Sequence, residues 1–165
     1  MATLEIQKVD LASFCYLNKE RYPFLLESVN HNENNRYSIL FAFPEENIVL
    51  RDFADFDFLS ELENQCKQIS DNLNPPFAGR WFVYLSYELI RQIEPTLASK
   101  LHKSSIPIAY AVKIPCAIIN DHKLKKTYVV DEDNGHTRIN QILSDIKAIE
   151  SIPDNALNGE ISEES

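Results

Sequence analysis

Three glycines in 165 residues, Gly79, Gly135 and Gly159, leave this chain without the means to build a phosphate-cradling loop. Such a loop brings several backbone amides close to one phosphate, and clustered glycines permit that approach. A GxSxG nucleophile elbow is excluded on the same ground. Cysteine is as scarce: Cys15, Cys66 and Cys116 are odd in number, far apart and without CxxC spacing. They suggest neither a redox pair nor a zinc site, and reduced thiols are the simple reading. Basic residues are outnumbered, 16 against 25 acidic, for a formal net charge of -9. Nucleic-acid binding rests on neutralising phosphates with Lys and Arg, so no nucleic-acid partner is expected. No run approaches the ~20 apolar residues of a membrane span. The start, Met1-Ala2-Thr3-Leu4-Glu5, lacks the basic and apolar regions of a signal peptide. The expectation is a cytoplasmic protein with no membrane partner.

Catalytic groups are thin as well. His31, His102, His122 and His136 lack the i, i+4 partner of a helical metal site. Each falls in a loop or at an element's edge, where solvation or capping is the expected role. Nothing near Cys15 or Cys116 in sequence would lower a thiol pKa. Asp52, Asp55 and Asp57 imitate a calcium loop but lack its glycine and its ligand ladder. Helix capping is their expected work. No complete catalytic centre is legible.

What is present is a core. Hydrophobic residues make up 44% and charged residues 25%, as in an ordinary globular domain. Leu4, Ile6 and Lys8 alternate as an edge strand. Asp10 caps a short helix to Tyr16, with Leu11, Phe14 and Cys15 inward. Pro23 forces an extended segment from Phe24 to Ser28, and the polar loop His31 to Asn35 follows. Tyr37 to Phe43 and Ile48 to Arg51 flank Pro44 to Asn47, which predicts a hairpin with a four-residue connection.

A helix follows, capped by Asp55 or Asp57. Phe58, Leu59, Leu62, Cys66, Ile69 and Leu73 form its stripe, and Asn74-Pro75-Pro76 stops it. Trp81 to Leu85 is a strand, Tyr87 to Ile93 a helical turn or two ended by Pro95, and Ile108 to Ile114 a strand. Ala117 to Asn120 and Thr127 to Val130 make a second hairpin around Asp121-His122. The last helix runs from Thr137 to Ile149 on Ile139, Ile142, Leu143, Ile146 and Ile149. Clustered hairpins predict an α+β fold: a mainly antiparallel, sandwich-like β-sheet with helices packed outside. Residues 1–152 form the expected domain and 153–165 an acidic linker or tail.

Two segments carry a resemblance. One is Tyr22-Pro23-Phe24-Leu25-Leu26-Glu27-Ser28 with Arg36-Tyr37-Ser38; the other runs from Pro76 through Gly79-Arg80-Trp81 and Tyr84-Leu85-Ser86-Tyr87-Glu88 to Pro95. The stretch Ile106 to Asp121 adds a third. Together they resemble the N-terminal domain of the chorismate-utilising synthases, anthranilate synthase component I and aminodeoxychorismate (para-aminobenzoate) synthase component I. The Trp81 to Leu85 run with Tyr87-Glu88 and Ile93-Glu94-Pro95 is closer to the aminodeoxychorismate form, and the anthranilate form stays open.

The resemblance implies a division of labour. Chorismate and magnesium belong to the family's large C-terminal domain, so no cofactor is expected in this chain, which would be the N-terminal piece of a longer synthase. The whole enzyme would take ammonia from a glutamine amidotransferase subunit. The family's Leu-Leu-Glu-Ser motif helps form a tryptophan site. Leu26, Glu27 and Ser28 match it, and Arg36, Tyr37 and Ser38 match more loosely. Glu27 would accept from the ligand's ammonium, Ser28 and backbone amides would donate to its carboxylate, and Leu26 and Tyr37 would wall the indole. From the residues alone, Leu25 to Ser28 also reads as a plain strand end with Glu27 solvated. Tyr84 to Glu88 reads as core and strand-to-helix turn.

Overall fold

A computed structural model describes residues 1–28, 36–66, 77, 80–94 and 105–151. Strand alternation organises everything in it. Eight strands form two antiparallel sheets. The first has the order β1-β8-β7-β3-β2, built from β1 (Ala2–Ile6), β2 (Phe24–Leu26), β3 (Tyr37–Ala42), β7 (Cys116–Asp121) and β8 (Lys126–Asp131). The second has the order β4-β6-β5, built from β4 (Asn47–Leu50), β5 (Arg80–Leu85) and β6 (Ala109–Ile114). The helices are α1 (Leu11–Leu17), α2 (Phe58–Gln65), α3 (Ile90–Ile93), preceded by a 3-10 turn at Tyr87–Leu89, and α4 (Thr137–Glu150).

Successive side chains of a strand face opposite ways, and the core divides accordingly. Leu40, Ala42, Cys116, Ile118 and Val129 face α1 and α4, meeting Leu11, Phe14, Ile139 and Ile142. Their neighbours Ile39, Phe41, Ala117, Ile119 and Val130 turn the other way and meet Phe82, Val112 and Ile114 of the second sheet. Phe24 of the first sheet stacks on Phe82 of the second at 4.0 Å between ring centroids. Ala109, Ala111, Ile48 and Leu50 leave by the far face and pack on Phe58, Leu59 and Leu62 of α2. The result is four layers: helix, sheet, sheet, helix. The expected α+β sandwich with outer helices is the observed fold.

Local signals act where the sequence places them. Asp10 caps α1 by accepting from the amides of Ala12 and Ser13, both at 3.2 Å. Asp57 caps α2 through Ser60 N–H at 3.1 Å. The β7–β8 hairpin closes with Asp121 Oδ1 accepting from the amides of Lys123 and Leu124, both at 3.0 Å, and Lys125 takes the left-handed conformation, φ 55°.

The expected hairpin between Tyr37 to Phe43 and Ile48 to Arg51 is not formed. Both strands exist, but β3 pairs with β2 and β7, and β4 pairs with β6 in the other sheet. The connection crosses between layers. Phe43 enters it with φ 59°, a conformation that costs a non-glycine residue about 1–2 kcal/mol. Its ring is held beside Tyr22, at 6.3 Å, with Arg21 above it at 5.7 Å. Glu45 then anchors the crossing through Lys113, at 3.0 Å, and Arg138, at 2.8 Å.

Several expectations lie outside the described residues: the loop His31 to Asn35, the helix extension through Ile69 and Leu73 with its Asn74-Pro75-Pro76 stop, Pro95, His102 and the segment 153–165. No helix among the described residues is long and apolar enough to cross a membrane.

Candidate functional site

The helix-facing side of the first sheet is apolar between two polar ends: at one, buried Asp131 pairs with Arg138 of α4 at 2.8 Å; the other holds a polar row. There Ser38, Asn120 and Thr127 lie side by side on β3, β7 and β8, because Ser38 pairs with Asn120 and Asn120 with Thr127 in register. All three are buried. Thr127 Oγ1 donates to Asn120 Oδ1 at 2.7 Å, and Asn120 Nδ2 donates to the Val9 carbonyl at 3.3 Å. This row is satisfied internally, as a buried polar row must be.

At its Ser38 end the row opens into a cleft of about 590 Å³, lined by Lys8, Val9, Asp10, Leu11, Glu27, Ser28, Ser38, Asn120 and His122. The β1–α1 connection forms one wall and the ends of β2, β3 and β7 the other. Ser28 is fixed twice: its amide donates to Ser38 Oγ at 3.1 Å and its hydroxyl to the Tyr37 carbonyl at 2.8 Å. Ser38 Oγ also lies 2.8 Å from His122 Nε2, the imidazole tautomer deciding which of them donates. Lys8, Asp10 and Glu27 are exposed at the rim, so both signs of charge meet the solvent there. Asp10 is already accepting from Ala12, Ser13 and the Ser13 hydroxyl, which leaves Glu27 as the carboxylate for an incoming cation.

Of the six residues that the sequence singles out, the fold brings Glu27, Ser28 and Ser38 together at this cleft. Leu26, Arg36 and Tyr37 do not line it. Leu25 packs toward α1 and α4, so alternation turns Leu26 to the opposite face, where it is 52% exposed. Tyr37 packs between the sheets. Arg36 lies over the Tyr37 ring at 4.7 Å and forms a two-pronged pair with Asp121, Nη2 to Oδ2 at 2.6 Å and Nε to Oδ1 at 3.0 Å. This guanidinium, helped by the turn amides, holds the Asp121 carboxyl below its usual range.

Lys8, Asp10, Asn120 and His122 join the cleft without having been picked out. Their signal is not local: Lys8 and Asn120 are brought together only by the pairing of β1 with β8 and β8 with β7. His122 is neither simply solvated nor a cap, since its ring meets Ser38.

A nucleophilic triad would need a carboxylate behind the Ser38–His122 pair to orient the imidazole. Asp121 is next in sequence but spends both oxygens on Arg36 and the turn amides. Among the described residues no group of three or more His, Cys, Asp or Glu side chains is placed to hold a metal ion. Neither Cys116 nor Cys15 is activated: burial first, then Asp131, pushes Cys116 up to about 12, and burial with Asp10 raises Cys15. Cys116 is therefore expected to resist a thiol reagent at about pH 8 until the chain is denatured. Titration with an aromatic disulfide, before and after adding denaturant, checks this; prompt labelling of Cys116 in the folded protein would contradict it.

What the cleft offers is recognition: hydroxyl and amide groups on the floor, a lysine and carboxylates at the rim, and Val9 and Leu11 as apolar surface. The chain matches no known protein-family profile and no curated protein.

Proposed function

We propose that this chain is a non-catalytic, ligand-binding and assembly domain of a cytoplasmic chorismate aminating synthase, on the aminodeoxychorismate branch that leads to para-aminobenzoate and folate. The anthranilate branch is the alternative within the same resemblance. The observation that carries the reading is the convergence of Glu27 and Ser28 with Ser38 on a cleft with charge of both signs at its rim. Glu27 and Ser28 match the family's tryptophan motif and Ser38 matches it more loosely, and an amino acid is a zwitterion. Glu27 takes the ammonium and Lys8 the carboxylate, while Ser28, its donors already spent on Tyr37 and Ser38, holds the cleft wall in shape. In this reading chorismate, magnesium and the chemistry reside in a C-terminal chorismate-binding domain, and ammonia comes from a glutamine amidotransferase subunit.

Tryptophan at about a hundred times its dissociation constant is expected to add about 2.7 kcal/mol to stability, a rise in Tm of roughly 5–10 °C for a chain of this size. Glu27→Gln should reduce the affinity about tenfold by removing a charge-assisted bond. No thermal shift and no calorimetric heat with saturating tryptophan, even with the C-terminal domain supplied, would sink the ligand reading. The apolar wall on the described side is small, Val9 and Leu11. That observation favours a second reading: a docking domain that holds no ligand. Co-purification with the amidotransferase in the absence of any tryptophan response supports it, and failure of both assays removes it.

A further inference from the structure

Ser38 Oγ stands between a backbone donor and a titratable ring. A hydroxyl has one proton to give and two lone pairs to fill. One lone pair receives the Ser28 amide at 3.1 Å, and His122 Nε2 lies 2.8 Å away. Where Nε2 carries no proton, it accepts the Ser38 proton, and the hydroxyl has no donor left for the cleft. Where Nε2 carries a proton, it donates into the second lone pair, and the hydroxyl proton is released. An imidazolium has protons on both ring nitrogens, so it always presents the second arrangement. Ser38 is buried at the floor of the cleft, and His122 then adds a positive charge beside it. The histidine's backbone is anchored too: its amide donates to the Arg36 carbonyl at 2.9 Å.

We propose that Ser38 and His122 form an anion pole in this cleft: the Ser38 hydroxyl donates to a ligand carboxylate, and the imidazolium behind it donates to Ser38. On the reading of the cleft as a ligand site, the pair adds to Lys8 at the rim a donor and a charge at the floor. Among the described residues, the charged groups around the ring are Lys8 and Asp10 from the β1–α1 connection, Glu27 from the end of β2, Arg36 before β3, and Asp121 and Lys123 from its own turn. Arg36 and Asp121 are paired with each other at 2.6 Å, and Asp10 is engaged in the α1 cap. Carboxylates and amines ordinarily titrate well outside the range, roughly pH 5.5–7.5, in which an imidazole does. His122 is then the cleft residue that changes charge within that range. A bound carboxylate favours the imidazolium, so by reciprocity a fall in pH favours the carboxylate by the same factor. A cationic ligand group gains nothing from the change.

Calorimetric titration of the full chain with the two halves of tryptophan, at about pH 5.5 and about pH 7.5, tests this. Indole-3-propionate carries the carboxylate alone and tryptamine the ammonium alone. Indole-3-propionate should bind about fivefold more tightly at the lower pH, and tryptamine no more tightly. His122→Gln keeps a side-chain donor without the charge and should flatten the carboxylate's pH profile. Ser38→Ala should weaken indole-3-propionate at the lower pH; His122→Gln still decides the matter if that variant does not fold. His136→Gln, at the start of α4, should leave the profile as it is. Carboxylate binding that is equally tight at both pH values, or a pH response that survives His122→Gln, overturns the proposal and leaves the amino-acid reading standing. If neither half nor tryptophan itself binds, that reading falls and sulfate decides for the anion pole alone. Sulfate should then raise the pH at which the His122 ring signals titrate by NMR, beyond the effect of sodium chloride at equal ionic strength; no such rise overturns the proposal.

Discussion

Asp145→Ala is expected to destabilise the protein by about 2–4 kcal/mol, because it removes the buried acceptor of a charged hydrogen-bond cluster and leaves the fully buried Tyr22 hydroxyl without its partner. Asp145 projects from α4 into the first core layer. It accepts from Tyr22 Oη at 2.5 Å, Arg21 Nη1 at 2.6 Å and Gln141 Nε2 at 3.0 Å. Tyr22 is fully buried against Phe14, with ring centroids 5.1 Å apart. Burial, reinforced by Asp145, pushes its phenol well above the ordinary range, so the hydroxyl keeps its proton and acts as a donor throughout the accessible pH range. Tyr22→Phe removes one bond to a charged acceptor and should cost less, about 1.5–3 kcal/mol. Urea denaturation of both variants checks the order. An Asp145→Ala loss under about 1 kcal/mol would mean that water reaches the site and replaces the carboxylate.

The second large effect is a sensitivity to acid centred on Asp121. Its carboxyl is lowered from 3.8, first by the Arg36 hydrogen bonds and then by the turn amides, against the opposing effect of burial. A group whose folded pKa is depressed contributes stability above its unfolded pKa, about 3.9, and loses it as pH falls through the lower folded value. At neutral pH that contribution is complete; below about pH 4 it fades. Asp121→Ala should cost about 2–3 kcal/mol at neutral pH and much less near pH 3, so its stability curve is flatter on the acid side than that of the wild type. Paired urea midpoints at the two pH values decide it. An equal deficit at both would show that Asp121 acts through turn geometry alone and not through its charge.

Most elements of this fold are legible because their causes are local. Asp10 and Asp57 cap helices through amides two or three residues away, and the β7–β8 hairpin is closed by a turn at Asp121. The stripe from Ile139 to Ile149 identifies α4 by its period. The β3–β4 connection is different in kind. Two apolar runs joined by four residues match a hairpin in every nearby respect. What decides otherwise is that β7 offers β3 a full ladder from Tyr37–Asp121 to Ala42–Cys116, a fact held in residues far along the chain. The candidate site divides the same way. Glu27, Ser28 and Ser38 sit close enough in sequence to be noticed together. His122, Asn120 and Lys8 reach them through strand register, and the alternation that carries Leu26 and Tyr37 to other faces depends on pairings that only the folded sheet fixes.

That crossing connection has a consequence for how the chain finds its structure. The second sheet lies wholly within the stretch between β3 and β7, while the first sheet is made from the two flanking parts of the chain. Ala42 and Cys116, opposed in the ladder, are 74 residues apart in sequence. Closing a flexible loop of that length costs about 4 kcal/mol in chain entropy before any ladder bond offsets it. If β4, β5 and β6 gather first, they shorten the effective loop and lower that cost. The inserted layer would then act as the clamp that lets the outer strands meet, and its stability would set the pace of folding as well as the strength of the finished protein.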